Sequence, residues 1–324
     1  MAQIKKQNSR FFKNYGVPFL LSFALVSGAL WAIKFFNGAN QLPPDIAIIL
    51  SPHLDDAVLS LGGFMAERKT PVIVATFFTG KPSEAVRGGW DRLSGFKNSD
   101  EAMAARAKEN LAALEKTGAY PLNLSYLDFQ YGRDRNSVSG EKIAQSMKKD
   151  IETILGDLTD SAKISIYGPS EFGRKITHPD HKILHDAFTA VARENLGQKN
   201  LRFFFYEDFP YVARYEANGS TTLKNFLEEA GGFSLSEIPL PVGDAAFDTK
   251  IKAIGAYSSQ DKAFESLGEN IAQAVRDYAR GRCRARLPSP FARPALRDGQ
   301  ARLPKPEVSD SGQACEVAYE ILPL

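Results

Sequence analysis

Residues 46–64 read IAIILSPHLDDAVLSLGGF. Ile46 to Leu50 form an unbroken apolar run, which reads as a strand buried on both faces. Ser51-Pro52 interrupts it. His53, Asp55 and Asp56 follow at once, and then a small-residue, glycine-containing stretch that reads as a packed helix. One imidazole and two carboxylates therefore stand at the carboxyl end of a buried strand. In open α/β sheets that is the end where ligands bind.

Working outward, apolar runs alternate with helical patterns. Strands are predicted at 72–78, 123–129, 163–167 and 201–206, with helices at 100–116, 142–155 and 180–194 between them. In the first of these helices Met103, Ala107, Leu111 and Leu114 recur at spacings of three and four, and Gly118 and Pro121 end it. Alternation of this kind implies an α/β fold, a Rossmann-like, mostly parallel sheet with helices on both faces. Beyond residue 210 the pattern weakens. Helices are expected at 247–257 and 266–279, and a last strand at 316–322.

The 324 residues are 44% hydrophobic and 24% charged, ordinary for a globular core, and the net charge is +2. Bulk charge gives no argument for nucleic acid, and no basic helix, zinc knuckle or aromatic RNA-binding pattern is present. The organisation expected is a basic segment at 1–14, a transmembrane helix at 15–36, a Gly/Pro-containing linker at 37–45, and one domain from 46 to 324. Val17 to Ile33 carries no charge and would span roughly 25 Å as a helix. Tyr15, Trp31, Phe35 and Phe36 would lie near the interfaces. Lysines and an arginine precede the span, so the N-terminus is expected in the cytoplasm and the domain on the periplasmic or extracellular side. A cleaved signal, giving a secreted form, is the rival. Residues 280–306 are rich in Arg and Pro and read as a solvated loop. The two cysteines, Cys283 and Cys315, make no C-x-x-C pair. We expect two separate thiols, with a disulfide as the alternative for an exported domain.

The chain has four histidines, and three of them fall in THPDHKILH, residues 177–185. That stretch also follows a predicted strand, so both clusters should emerge at one edge of the sheet. Imidazole plus carboxylate is the usual ligand set of a catalytic zinc, which keeps a coordination position open. His53 and Asp56 are three apart, as are His178 and His181, so one turn can aim each pair at a point. Asp55 cannot point the same way as Asp56 and is left to hold a proton. The bland readings are a core histidine at 53, helix caps at Asp55, Asp56 and Asp180, and a surface position for His185, the one we expect for that residue.

At these residues the sequence resembles the PIG-L / LmbE-like family of zinc-dependent N-deacetylases. Ser51-Pro52-His53-Leu54-Asp55-Asp56-Ala57 is a variant of its first motif, and His178-Pro179-Asp180-His181 is its second. Softer likeness lies in Arg106 and Glu109, in YLDFQYGRD (126–134), FYEDFPYVAR (205–214) and IKAIGAYSSQ (251–260). The resemblance implies His53, Asp56 and His181 as ligands of Zn2+, with Fe2+ a possible substitute, and Asp55 as general base. It implies His178 as oxyanion partner or acid, with Asp180 orienting it. The substrate implied is an N-acetylated amino sugar, glycolipid or polysaccharide. Arg133, Glu207, Arg106 and Trp90 are the contacts we assign to it, with Arg87, Arg92, Tyr206 and Asp208 as weaker ones. Two residues depart from the pattern: Ala57 replaces a Glu and Leu54 a Pro. Two other classes fit part of these features. A two-metal phosphoesterase would need more carboxylates than the sequence clusters. An inactive, membrane-tethered glycan-binding protein would not need the complete set of reactive residues.

Overall fold

The computed structural model describes residues 45–132, 140–156, 158, 162–170, 178–216, 223–266, 268–284 and 314–323. The elements are β1 (Asp45–Ser51), α1 (Asp56–Glu67), β2 (Val72–Thr76), α2 (Gly89–Ser94), α3 (Ser99–Thr117), β3 (Tyr120–Asn123), α4 (Gly140–Gly156), β4 (Lys163–Pro169), α5 (Pro179–Asn195) and β5 (Leu201–Tyr206). The remainder are α6 (Tyr211–Glu216), α7 (Leu223–Gly231), β6 (Ser234–Val242), α8 (Asp244–Ile254), α9 (Ser258–Ser266), α10 (Ile271–Arg284) and β7 (Ala314–Leu322). The seven strands form one sheet in the order β3-β2-β1-β4-β5-β7-β6.

Strands β1 to β5 pair in parallel, and β7 runs antiparallel to both β5 and β6. Ile46 to Leu50 are fully buried and Val72 to Ala75 nearly so. Burial on both faces is why these strands read as continuous apolar runs. The chain leaves β1 towards β2 on one side, and β4 pairs with β1 on the other. The strand order therefore reverses between β1 and β4, the switch point at which such sheets bind ligands.

Three local expectations shift. The third strand is Tyr120–Asn123, earlier than the predicted 123–129. It is an edge strand, where Pro121 can sit without a missing ladder bond, and the chain beyond it makes only isolated bridges at Ser125 and Leu127. The second of the late helices starts at Ile271, because Gly268 takes a positive φ of 78° and ends the helical path before it. Strand β6 was not foreseen. Its residues alternate between buried and exposed, but Pro239 and Pro241 mask the strand pattern.

Helix α1 is kinked at Leu61 (φ −121°, ψ 20°). The groups released there are taken up by the C-terminal part of the chain. The Glu316 carboxylate accepts the Gly63 and Phe64 N–H groups at 2.9 and 2.6 Å. Lys250 Nζ donates to Ser60 O at 3.1 Å and to Glu316 at 2.6 Å. Glycine is needed at 63 because a Cβ would stand 2.6 Å from Val242 Cγ1.

Cys315 is disulfide-bonded, and no described cysteine is free. This corrects the expectation of two separate thiols: β7 packs against α10, which brings cysteine-bearing elements together. The predicted transmembrane segment at 15–36, its flanks at 1–14 and 37–44, and residues 285–306 of the Arg/Pro-rich stretch lie outside the described residues. Among the described residues no helix is long and apolar enough to cross a membrane.

Candidate active site

The turn after β1 is fixed by its own polar groups. Ser51 Oγ donates to His53 O at 2.6 Å and accepts the Ala57 N–H at 3.1 Å. Asp56 begins α1, where the helix dipole favours a carboxylate, and accepts the His53 N–H at 2.7 Å. On the other side of the switch point, His178 caps α5, whose first turn carries Asp180 and His181. His53, Asp55, Asp56, Asp180 and His181 are all buried.

Three atoms from these turns converge. His53 Nδ1 lies 3.1 Å from Asp56 Oδ2 and 3.2 Å from His181 Nε2, and His181 Nε2 lies 3.3 Å from Asp56 Oδ2. Three donors about 2.05 Å from one zinc, at tetrahedral angles, would be about 3.3 Å apart. The far nitrogens explain why the near ones face inwards. His53 Nε2 is 3.0 Å from Asp180 Oδ2, and His181 Nδ1 is 2.5 Å from Asp208 Oδ2. A neutral imidazole that donates to its carboxylate on the far side turns a lone pair to the common centre, the tautomer a metal ion requires. At this spacing the three acceptor atoms are held together by protons or by a metal ion between them. The same field acts on protons. Burial opposes charge on His181, but Asp208 and Asp56 outweigh it and hold its pKa well above the ordinary value. Burial likewise opposes charge on Asp56, but His181 and His53 outweigh it and hold its pKa well below.

Asp55 stands beside this triangle. Burial, reinforced by the neighbouring Asp56 charge, pushes its pKa up against the pull of Arg106, whose Nη2 is 3.6 Å away. His178 Nδ1 accepts the Asp180 N–H at 3.3 Å, so the neutral ring carries its proton on Nε2. Burial and the adjacent His53 and His181 keep His178 neutral by lowering its pKa. A cavity of about 170 Å³ opens on these groups and is also lined by Trp90, Arg106, Asp128, Gln130, Tyr211 and Phe264.

Residues 48–192 match the model of the PIG-L family, GlcNAc-PI de-N-acetylase. This segment belongs to the PIG-L family. The chain is similar in fold to the zinc-inhibited form of a teicoplanin deacetylase. The TM-score is 0.63 at 23% identity, over 86% of this chain and 98% of the other. It is similar also to the deacetylase of the antimicrobial A40926 pseudoaglycone, with a TM-score of 0.62 at 22% identity, over 85% and 96%. A comparison with curated proteins finds no match.

Within the PIG-L segment stand the three converging side chains, Asp55 and His178. Of the assigned substrate contacts, Arg106 and Trp90 line the cavity, whereas Arg133 lies outside the described residues. Glu207 does not reach this cavity. It is buried against Arg282, and Tyr278 and Tyr319 donate to it at 2.9 and 3.0 Å. The nearby cavity of about 10 Å³ holds no more than one water. Asp180 faces His53 at 3.0 Å and stands 3.9 Å from His178, so its orienting contact is to His53.

Asp208, weighed as a sugar contact, supports His181 instead. Tyr206 is buried and bonds Leu50 O, while Arg87 and Arg92 are exposed. His185, expected at the surface, is buried, 2.9 Å from Pro169 O and stacked on Phe205. It lies one turn beyond inward-facing His181, so the helical repeat turns it inwards too. Asp128, Tyr211, Gln260 and Phe264 were given no role from the sequence. Asp128, Tyr211 and Gln260 fell inside quoted motifs, but nothing local marks Phe264.

Proposed function

We propose that this protein is a metal-dependent hydrolase that removes an N-acyl group, an acetyl in the first instance, from an amino-sugar-containing substrate. The carrying observation is the His53–Asp56–His181 triangle, open on one side to a cavity that also holds Asp55 and His178. The PIG-L match supports the reaction class. The donor set suits Zn2+, with Fe2+ compatible. A divalent ion there would acidify water and polarise an acyl carbonyl.

The chain's own residues divide the remaining work. Asp55, raised towards neutrality and unable to join the triangle, takes the proton of the attacking water and returns it to the leaving amine. His178, neutral with its proton on Nε2, donates a hydrogen bond to the oxyanion, a contact typically worth about 3 kcal/mol. Asp180 and Asp208 fix the tautomers of His53 and His181. Arg106 and Asp128 face the cavity and are suited to sugar hydroxyls. An exported domain behind an N-terminal anchor fits the charge pattern of residues 1–36 and the disulfide at Cys315.

The test is metal analysis joined to acetate release from N-acetylhexosamines, glycolipids and polysaccharides. One divalent ion per chain and acetate release lost on chelation carry the reading. Two ions per chain with phosphate-ester turnover would replace it by a phosphoesterase. Asp55→Asn that keeps both metal and all wild-type acetate release would remove the base assignment. Ligand binding by a wild type that releases no acyl group from any of these substrates would leave a glycan-binding protein.

A further inference from the structure

Glu109 and the stretch IKAIGAYSSQ (251–260) have no part in the chemistry above, and the structure joins them. Glu109, on α3, takes up the turn between α8 and α9. Its carboxylate accepts the Ser258 and Ser259 hydroxyls at 3.0 and 2.6 Å and the Ser259 N–H at 2.8 Å. Gln260, next in the turn, accepts the Trp90 indole N–H at 2.6 Å, and Phe264 packs edge to face on that ring. Tyr257 stands at the head of the turn and is buried. Its hydroxyl lies 3.0 Å from Leu54 O and 2.9 Å from the side-chain amide of Asn110. One hydroxyl carries one proton, so the amide presents its nitrogen and donates to Tyr257 while Tyr257 donates to Leu54 O. Asn110 is one helical turn beyond Arg106, whose Nη2 is 3.6 Å from Asp55.

We propose that Tyr257 is a positioning residue for the turn that carries His53, Asp55 and Asp56, acting from the part of the chain beyond residues 48–192. The proposal rests on the reading of His53, Asp56 and His181 as metal ligands. Leu54 stands between His53 and Asp55, and its side chain is seated with Met103 and Tyr131. The hydrogen-bond ladder of α1 begins only at Asp55 O, which accepts the Val58 and Leu59 N–H groups at 3.1 and 3.0 Å. Leu54 O lies ahead of that ladder, and among the described residues Tyr257 is its only donor. The Leu54–Asp55 peptide is planar, so holding its oxygen fixes the plane from which Asp55 departs. The same plane sets how Asp56 returns to the His53 N–H, and so how the two ligand atoms meet. Leu54 and Tyr257 are both buried, where such a bond is stronger than in water.

The experiment measures the zinc affinity of the full-length protein by competition with a chromophoric chelator. Tyr257→Phe keeps the ring and removes the hydroxyl. We expect it to bind zinc about tenfold more weakly, with kcat for acetate release lowered and KM within about threefold of wild type. Tyr126→Phe removes another internal phenol hydrogen bond, the one to Asp150, and should keep the wild-type zinc affinity. Zinc affinity within about twofold of wild type in Tyr257→Phe overturns the proposal. Equal weakening in Tyr126→Phe also overturns it, because the effect is then general loosening. A further measurement needs no variant. Coupling is reciprocal, so zinc added to the metal-free wild type should slow amide exchange at Gln260 and Asp261, whose N–H groups bond Tyr257 O. Unchanged exchange there overturns the proposal even if Tyr257→Phe does not fold. A wild type that binds no zinc sinks the metal site and the role of Tyr257 with it. Zinc binding without acetate release sinks only the deacylase, and zinc binding indifferent to the hydroxyl sinks only Tyr257.

Discussion

In residues 45–206, the turns after β1 and β4 carry the reactive side chains. Among the described residues of 223–322, no strand is followed by such a turn, and the chain acts through contacts made at long range. Glu316 and Lys250 close the kink of α1, the helix that Asp56 begins. Tyr278, Arg282 and Tyr319 hold Glu207, the residue before Asp208. Gln260 and Phe264 fix Trp90. The parallel order brings several strand ends to one edge and makes a site from local motifs. The antiparallel addition supplies no reactive group to the triangle but sets the stiffness and the apolar wall around it.

That division can be broken at several points. The largest effect is expected in the first region. Asp55→Asn should retain metal and lower acetate release by about 10²–10⁴-fold, the usual contribution of a general base. Unaltered metal content with unaltered turnover would end the base assignment. Next comes the second region's hold on α1. Lys250 and Glu316 are 2% and 5% exposed, so Glu316→Ala leaves a buried ammonium with Ser60 O but no counter-charge, and two N–H groups without their carboxylate. We expect a loss of about 3–5 kcal/mol in denaturant unfolding. A loss under about 1 kcal/mol would make the kink self-sufficient.

Smaller still is the support given by the end of β5. Asp208→Asn should weaken metal binding by about 10–100-fold, read by competition with a chromophoric chelator. An unchanged affinity would mean that His181 is oriented by packing alone.

The smallest effect is a pH slope. Burial raises the pKa of Asp150 above 3.8, although the Tyr126 hydroxyl donates to its carboxylate and opposes the shift. The folded state therefore keeps the proton to higher pH than the unfolded chain. That contribution is fully present below 3.8 and is lost as pH rises through the raised folded value. Against Asp150→Asn, wild-type stability should fall as pH rises from about 4 to 8, by at most about 1.4 kcal/mol for each pKa unit of the shift. A constant difference across that range would show that Asp150 titrates as in the unfolded chain.

Much of the first region was legible. Ile46–Leu50 read as a buried strand, and His53, Asp55, Asp56, His178 and His181 stood out by spacing. The partner of Asp180 was not legible, because the choice between His178 and His53 depends on how α5 approaches the turn after β1. Asp208 carried a signal, a carboxylate just past a strand end, but a sugar contact fitted that signal equally well. Glu207 was read as facing ligand because nothing nearby in sequence announces Arg282 or Tyr319. His185 was misplaced because a single helical position was judged apart from its inward-facing neighbour His181.

By itself, the sequence determined the alternation of strands and helices and the two turns that bear imidazole and carboxylate. Those are properties of neighbouring residues, written in periodicity and short spacing. Only the tertiary structure decided which nitrogen of each histidine faces the centre. The deciding hydrogen bonds join residues 127 positions apart for His53 with Asp180, and 27 apart for His181 with Asp208. Such distances are set by how the sheet closes, and a local pattern cannot encode them.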